Sequence, residues 1–144
     1  MEMLHAIFSA VLGFALGLIS SYIFWYKQRR LDRPRLEFNL EEAGATPSEN
    51  VFSVRNKGGS FAERVEYSYG DLDEDEFEHG PVYLDTALAS DERQRIRLEL
   101  EEDQDVLIQF TYTDVFGGAY KDSWELHFKP AGDDPYYLVI RNDS

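Results

Sequence analysis

Three groups of side chains in this sequence are of a type and spacing that could do chemistry. The densest is Asp71-Leu72-Asp73-Glu74-Asp75-Glu76-Phe77-Glu78. Asp71, Asp73 and Asp75 stand where the first ligands of an EF-hand loop stand, because a hard cation is held by converging carboxylate oxygens. The pattern breaks at Glu76, where the sharp turn requires glycine, and at Val82, where the bidentate glutamate belongs. No metal site is therefore predicted there. A looser cation site, an acidic surface for a basic partner, and a solvated loop remain as readings of the run. In the second group, Arg93, Arg95 and Arg97 alternate with Gln94 and Ile96, so on a strand all three guanidiniums share one face. Such a row can meet lipid headgroups, a phosphorylated ligand or an acidic partner. It can equally pair with Glu and Asp on neighbouring strands, or guard a sheet edge against strand addition. The third group, His5, His79 and His127, is spread over separate elements, at no metal-ligand spacing and beside no nucleophile signature. Alternation with Leu126 and Phe128 predicts an exposed face for His127. There is no cysteine, which excludes disulfides, thiolate metal sites and a cysteine nucleophile. No catalytic constellation and no cofactor motif is present, and no small-molecule substrate is predicted. The expectation is a protein that binds rather than one that catalyses.

The elements that position these groups are of two kinds. From Leu4 to Tyr26 the chain runs LHAIFSAVLGFALGLISSYIFWY, 23 residues without an Asp, Glu, Lys or Arg. As a helix it spans about 34 Å, enough for a hydrocarbon core of roughly 30 Å. A domain of this size has no core able to surround so long an apolar helix. A cleaved signal peptide is disfavoured by the missing basic n-region in Met1-Glu2-Met3, and by aromatic and basic residues where small ones belong. The prediction is a transmembrane helix over residues 4–26 with a short tail, residues 1–3, before it. Lys27, Arg29, Arg30, Arg33 and Arg35 follow within a basic linker, residues 27–35. Basic flanks stay in the cytoplasm, so the N-terminus is expected outside and the rest inside. Tyr22, Phe24, Trp25 and Tyr26 precede that run and suit the inner headgroup level, where Lys27, Arg29, Arg30 and Arg33 attract anionic lipid.

Ser9, Gly13, Gly17 and Ser21 recur every fourth residue, with Gly13-Phe14-Ala15-Leu16-Gly17 as a GxxxG and Ala6 and Ala10 nearby. Small residues at that spacing let two helix backbones approach. A membrane-protein partner or a second copy of this chain is expected on that face. Ordinary enrichment of Gly and Ala in membrane helices is the plainer explanation.

After Pro34 the hydrophobic period changes from helical to two, which marks strands. Leu36–Glu41, Asn50–Asn56, Ala62–Tyr69, Val82–Leu84, Arg93–Glu101, Val106–Thr113, Ala119–Phe128 and Tyr136–Arg141 are the predicted set. Asp114-Val115-Phe116-Gly117-Gly118 joins two long runs and supplies glycines for positive φ, so those runs form a hairpin. Asp103-Gln104-Asp105 is a polar turn. Phe110, Tyr112, Tyr120 and Trp124 are expected in core and cross-strand packing rather than as a glycan platform. Seven or eight strands over residues 36–144 predict one all-β domain, an immunoglobulin-like antiparallel β-sandwich behind an N-terminal transmembrane helix.

Val54-Arg55-Asn56-Lys57-Gly58-Gly59, then Ala62 and Val65, then Ile96-Arg97-Leu98, and finally Tyr112 to Tyr120 (YTDVFGGAY) occur in an order that resembles prokaryotic membrane-tethered immunoglobulin-like or CARDB-like sandwiches. The likeness lies in an "N-x-G, small residue, V" strand pair and a late "Y-x-D-x-x-G-x-x-Y" hairpin, over residues 36–128. Ala89-Ser90-Asp91-Glu92 replaces the usual proline-glycine turn before the fifth strand. The resemblance implies a recognition or scaffolding module and carries over no catalytic residue.

The chain holds 28 acidic and 14 basic side chains, a net charge of −14. The charge is divided unevenly. Residues 1–35 carry five basic and two acidic groups, residues 36–144 nine basic and 26 acidic, net −17. That imbalance excludes sequence-independent nucleic-acid binding, which requires cations against phosphate. With only four lysines, the acidity also fits a salt-rich cytoplasm, where hydrated carboxylates keep surfaces apart. The expected role is an accessory or adaptor subunit of a membrane assembly, its cytoplasmic sandwich binding a partner. A ligand sensor that oligomerises through its helix, or an outward-facing adhesion or solute-binding domain, are the other readings.

Overall fold

The computed structural model describes residues 1–31, 33–130 and 136–142, with the side chains of residues 29–31 outside that description. The chain divides into two units, Met1–Arg33 and Pro34–Ser144. The first is one helix, α1 (Glu2–Leu31). It runs past the apolar segment because Lys, Gln and Arg are good helix formers. It stops short of Pro34, whose ring disfavours helical backbone in the residue before it. Over Glu2–Gln28 this helix is long and apolar enough to cross a membrane.

The second unit is all β: β1 (Leu36–Glu42), β2 (Val51–Asn56), β3 (Glu63–Asp71), β4 (His79–Tyr83), β5 (Arg93–Arg97), β6 (Val106–Thr113), β7 (Ala119–Lys129) and β8 (Tyr136–Asn142). They form two antiparallel sheets, ordered β1-β2-β5 and β4-β3-β6-β7-β8. Both long-range ladders, β2 with β5 and β3 with β6, join strands separated by other elements.

The sheets pack face to face because alternation gives each an apolar side. Phe38 and Phe52 from the smaller sheet meet Phe110 and Trp124 from the larger. Phe38 lies 5.3 Å from Phe52, 5.4 Å from Phe110 and 5.9 Å from Trp124, ring centre to ring centre. Leu36, Val54, Val65, Ile108 and Leu126 fill the space around them, all buried. Offset and edge-on aromatic pairs of this kind contribute about 0.5–1.5 kcal/mol each beyond burial.

The expected hairpin is present. Asp114 N–H donates to Gly118 O at 2.9 Å, Gly117 N–H donates to Asp114 O at 3.1 Å, and Gly117 takes φ 82°. Two strands differ from their sequence signal: β4 covers His79–Tyr83 where Val82–Leu84 was expected, and β5 is shorter than its alternation. β5 ends at Arg97, not Glu101, because Val51, the first residue of its partner β2, pairs with Arg97. Leu98 and Leu100 remain buried, with Ser48 Oγ donating to Leu100 O and accepting from its N–H. Apolar alternation there records burial without a ladder. The turn at Asp103 links strands of different sheets, since β5 and β6 do not pair.

Candidate functional site

On α1, Ser9, Gly13, Gly17 and Ser21 are all exposed, and a Cβ added at Gly13 or Gly17 would meet nothing within 4 Å. Near its C-terminal end, the Tyr22 ring lies 6.3 Å from Trp25 and 6.4 Å from Tyr26. Those are the i,i+3 and i,i+4 neighbours of a helix face. Lys27 and Arg33 are exposed, whereas the side chains of Arg29 and Arg30 lie outside the described residues.

The acidic loop between β3 and β4 folds on itself. Asp71 Oδ1 accepts from Asp73 N–H at 2.9 Å and Asp71 O from Glu74 N–H at 3.2 Å. The Asp71 carboxylate therefore closes a turn instead of converging with its neighbours. Asp73, Asp75 and Glu76 are accessible to solvent. Among the described residues no three His, Asp or Glu side chains are grouped to hold a metal ion. Glu78 beside it, aided by Asp71 and Glu76, raises the carboxyl pKa of Glu74 above its ordinary range. The loop is a concentrated negative surface.

The arginine row is split. Arg93 Nη1 and Arg95 Nη2 both meet Glu41 Oε1, at 3.2 and 3.0 Å. Glu41 comes from β1 and reaches across β2, so these two arginines tie the three strands of the smaller sheet together. Arg97, exposed at the end of β5, has no ion pair among the described residues.

Other arrangements follow from which strands adjoin, information that alternation lacks. His127 is only partly exposed, because Asp105, the residue before β6, and Glu125 on β7 clasp it. Its Nδ1 lies 3.3 Å from Asp105 Oδ2 and its Nε2 3.0 Å from Glu125 Oε2. Chiefly through Glu125, and against the effect of burial, the imidazole pKa is raised. Asp122 accepts from both Tyr112 Oη and Arg141 Nη2, the latter at 3.1 Å. Burial, reinforced by that carboxylate, drives the Tyr112 hydroxyl far above its usual range. A hollow of about 540 Å³ opens beside Glu66, Tyr83, Thr111 and Lys121 on the larger sheet. A second, of about 370 Å³, lies beside Arg35, Asn39, Trp124 and Arg141 where β1 runs near β8. No protein-family model, curated protein or solved structure matches this chain.

Proposed function

We propose that the chain is a non-enzymatic, single-pass membrane adaptor, with its N-terminus outside and an immunoglobulin-like sandwich in the cytoplasm. In this reading α1 joins a larger membrane assembly and the sandwich binds a soluble partner. The observation that carries it is the row Ser9, Gly13, Gly17 and Ser21 along one exposed face of an apolar helix, with open space over both glycines. Close backbone approach at such a row replaces lipid contacts with helix contacts. Support for the immunoglobulin-like type comes from the strand order. First, second and fifth strands share one sheet and third, sixth and seventh the other, as in that fold, with the fourth moved to the larger sheet and an eighth added. The basic residues after the apolar span support the orientation.

Gly13→Leu combined with Gly17→Leu tests the reading. Cross-linked oligomer or co-purified membrane partner should fall about tenfold or more, the loss expected when the helices can no longer approach. Retention of both at wild-type levels refutes it.

A further inference from the structure

We propose that the hollow of about 540 Å³ on the outer face of the larger sheet binds a small zwitterion in which an ammonium and a phosphate lie a few atoms apart. This site is separate from the helix row that carries the adaptor reading and does not depend on it.

Strand register builds the floor of the hollow. Tyr83 pairs with Glu66, Glu66 with Thr111 and Thr111 with Lys121, so the four stand in one row across β4, β3, β6 and β7. Paired residues share a face. Here it is the outer one, because Val65, Tyr67, Phe110 and Tyr112 beside them are buried. Arg64 joins the row through a bulge. Glu63 pairs with Thr113 and Glu66 with Thr111, which leaves Arg64 and Val65 together opposite Tyr112. Val65 takes the buried place, and Arg64, at φ 50°, is exposed and lines the hollow. A residue with a side chain rarely holds that backbone angle. Bulges re-aim side chains beside functional sites, and strained backbone of this kind gathers there. The volume lies within the roughly 300–1,000 Å³ of small-ligand sites.

The placement of charge selects the ligand. Paired positions are about 4.8 Å apart from strand to strand, so Glu66 and Lys121, with Thr111 between them, start about 10 Å apart. Among the described residues they form no ion pair with each other, and neither Arg64 nor Lys121 has a carboxylate partner. Thr111 Oγ1 donates to Glu66 Oε1 at 2.9 Å and holds the carboxylate in place, while Oε2 has no partner among the described residues. Toward β4, that carboxylate and the 65% exposed Tyr83 ring suit an ammonium. Lys121 on β7 and Arg64 at the bulge supply cations for phosphate oxygens. The sandwich as a whole is net −17, which repels a plain anion but not a zwitterion of net charge zero.

The test follows amide nitrogen–proton spectra of the full chain in dodecyl maltoside, an uncharged detergent, as glycerophosphocholine is added. Amides of Arg64, Glu66, Thr111 and Lys121 should shift saturably, and glycerophosphoethanolamine should compete. Glycerol 3-phosphate, which has only the anion, and choline, which has only the cation, should each bind about tenfold or more weakly. Arg64→Gly removes the guanidinium at an angle glycine favours, so the fold should persist while binding falls about tenfold. Glu66→Gln keeps an acceptor for Thr111 and should weaken the zwitterion and choline without weakening glycerol 3-phosphate. Arg97→Gln, at a cation on the other sheet, should change nothing. Binding of the zwitterion no tighter than of either fragment overturns the proposal. Binding that survives both Arg64→Gly and Glu66→Gln, or the lack of a saturable shift at these amides, overturns it too. In phosphatidylcholine nanodiscs, the same shifts without added ligand assign the site to a lipid headgroup. Shifts that require glycerophosphocholine assign it to a free zwitterion. Partner retention through Gly13 and Gly17 is read separately, so failure here leaves the adaptor reading standing.

Discussion

Asn56 closes β2 with its side chain wholly buried, and its removal has a calculable cost. Nδ2 donates to Ser60 O at 2.7 Å and Leu88 O at 2.9 Å, while Oδ1 accepts from Gly58 N–H at 2.9 Å and Arg35 N–H at 3.2 Å. One amide thus ties the approach to β1, the loop after β2 and the segment before β5. Asn56→Ala removes all four bonds, about 4 kcal/mol at roughly 1 kcal/mol each. Leu88 O keeps the Ala62 N–H at 2.9 Å, and Arg35 is exposed so that water can replace the lost acceptor. The expected net loss is therefore about 3 kcal/mol. Asn56→Asp keeps the acceptor but sets a carboxylate against two carbonyl oxygens, so at neutral pH it should destabilise by at least as much. Burial and those carbonyls raise the folded pKa of the introduced carboxyl above its unfolded value of about 3.9. The folded state then binds the proton more tightly, and stability relative to wild type returns as pH falls. Urea unfolding of the full chain in neutral detergent measures both, read from buried Trp124 with Trp25→Phe in every background. A loss below about 1 kcal/mol for Asn56→Ala, equal to a single net hydrogen bond, would refute the reasoning. So would an Asn56→Asp chain as stable as wild type at pH 7.

Asp114 holds the β6–β7 hairpin by accepting from Phe116 N–H at 2.9 Å, Gly118 N–H at 2.7 Å and Tyr120 Oη at 2.7 Å. Asp114→Ala should cost about 2–3 kcal/mol and speed amide exchange in residues 114–120, measured by hydrogen–deuterium exchange. For His127, a raised folded pKa means that its contribution is full below the unfolded value of about 6.5 and fades as pH rises through the folded one. The stability advantage of wild type over His127→Gln should accordingly shrink as pH rises above the unfolded value, and a constant difference in urea unfolding counts against the clasp.

Local periodicity made most of the sandwich legible. Leu36, Phe38, Val106, Ile108 and Phe110 alternate with polar neighbours, and those stretches are strands with those side chains inward. The signal weakened where burial and ladder part company, as at Leu98 and Leu100, and at β4, where Pro81 interrupts the pattern. Asn56 was readable only as part of a turn, since three of its partners lie in loops that are remote or irregular. The arginine row shows the same boundary. A shared face for Arg93 and Arg95 follows from period two, but their common partner Glu41 depends on β1 and β5 flanking β2. The placement of β5 and β6 in different sheets is a property of strand order, which no single stretch of sequence contains.

The pairing of β2 with β5 and of β3 with β6 also sets a clock for biogenesis. When the ribosome has just finished β2, its second neighbour is still unmade, and β3 waits in the same way for β6. From Val51 to Thr113 lie 63 residues, which take about 3–13 s to synthesise at roughly 5–20 residues per second. Through that interval Phe38, Phe52 and Val54 have no opposing sheet, and chaperones or aggregation compete for them. Among the described strands β8 comes last, so the larger sheet gains its final described strand only after every strand of the smaller one has been made.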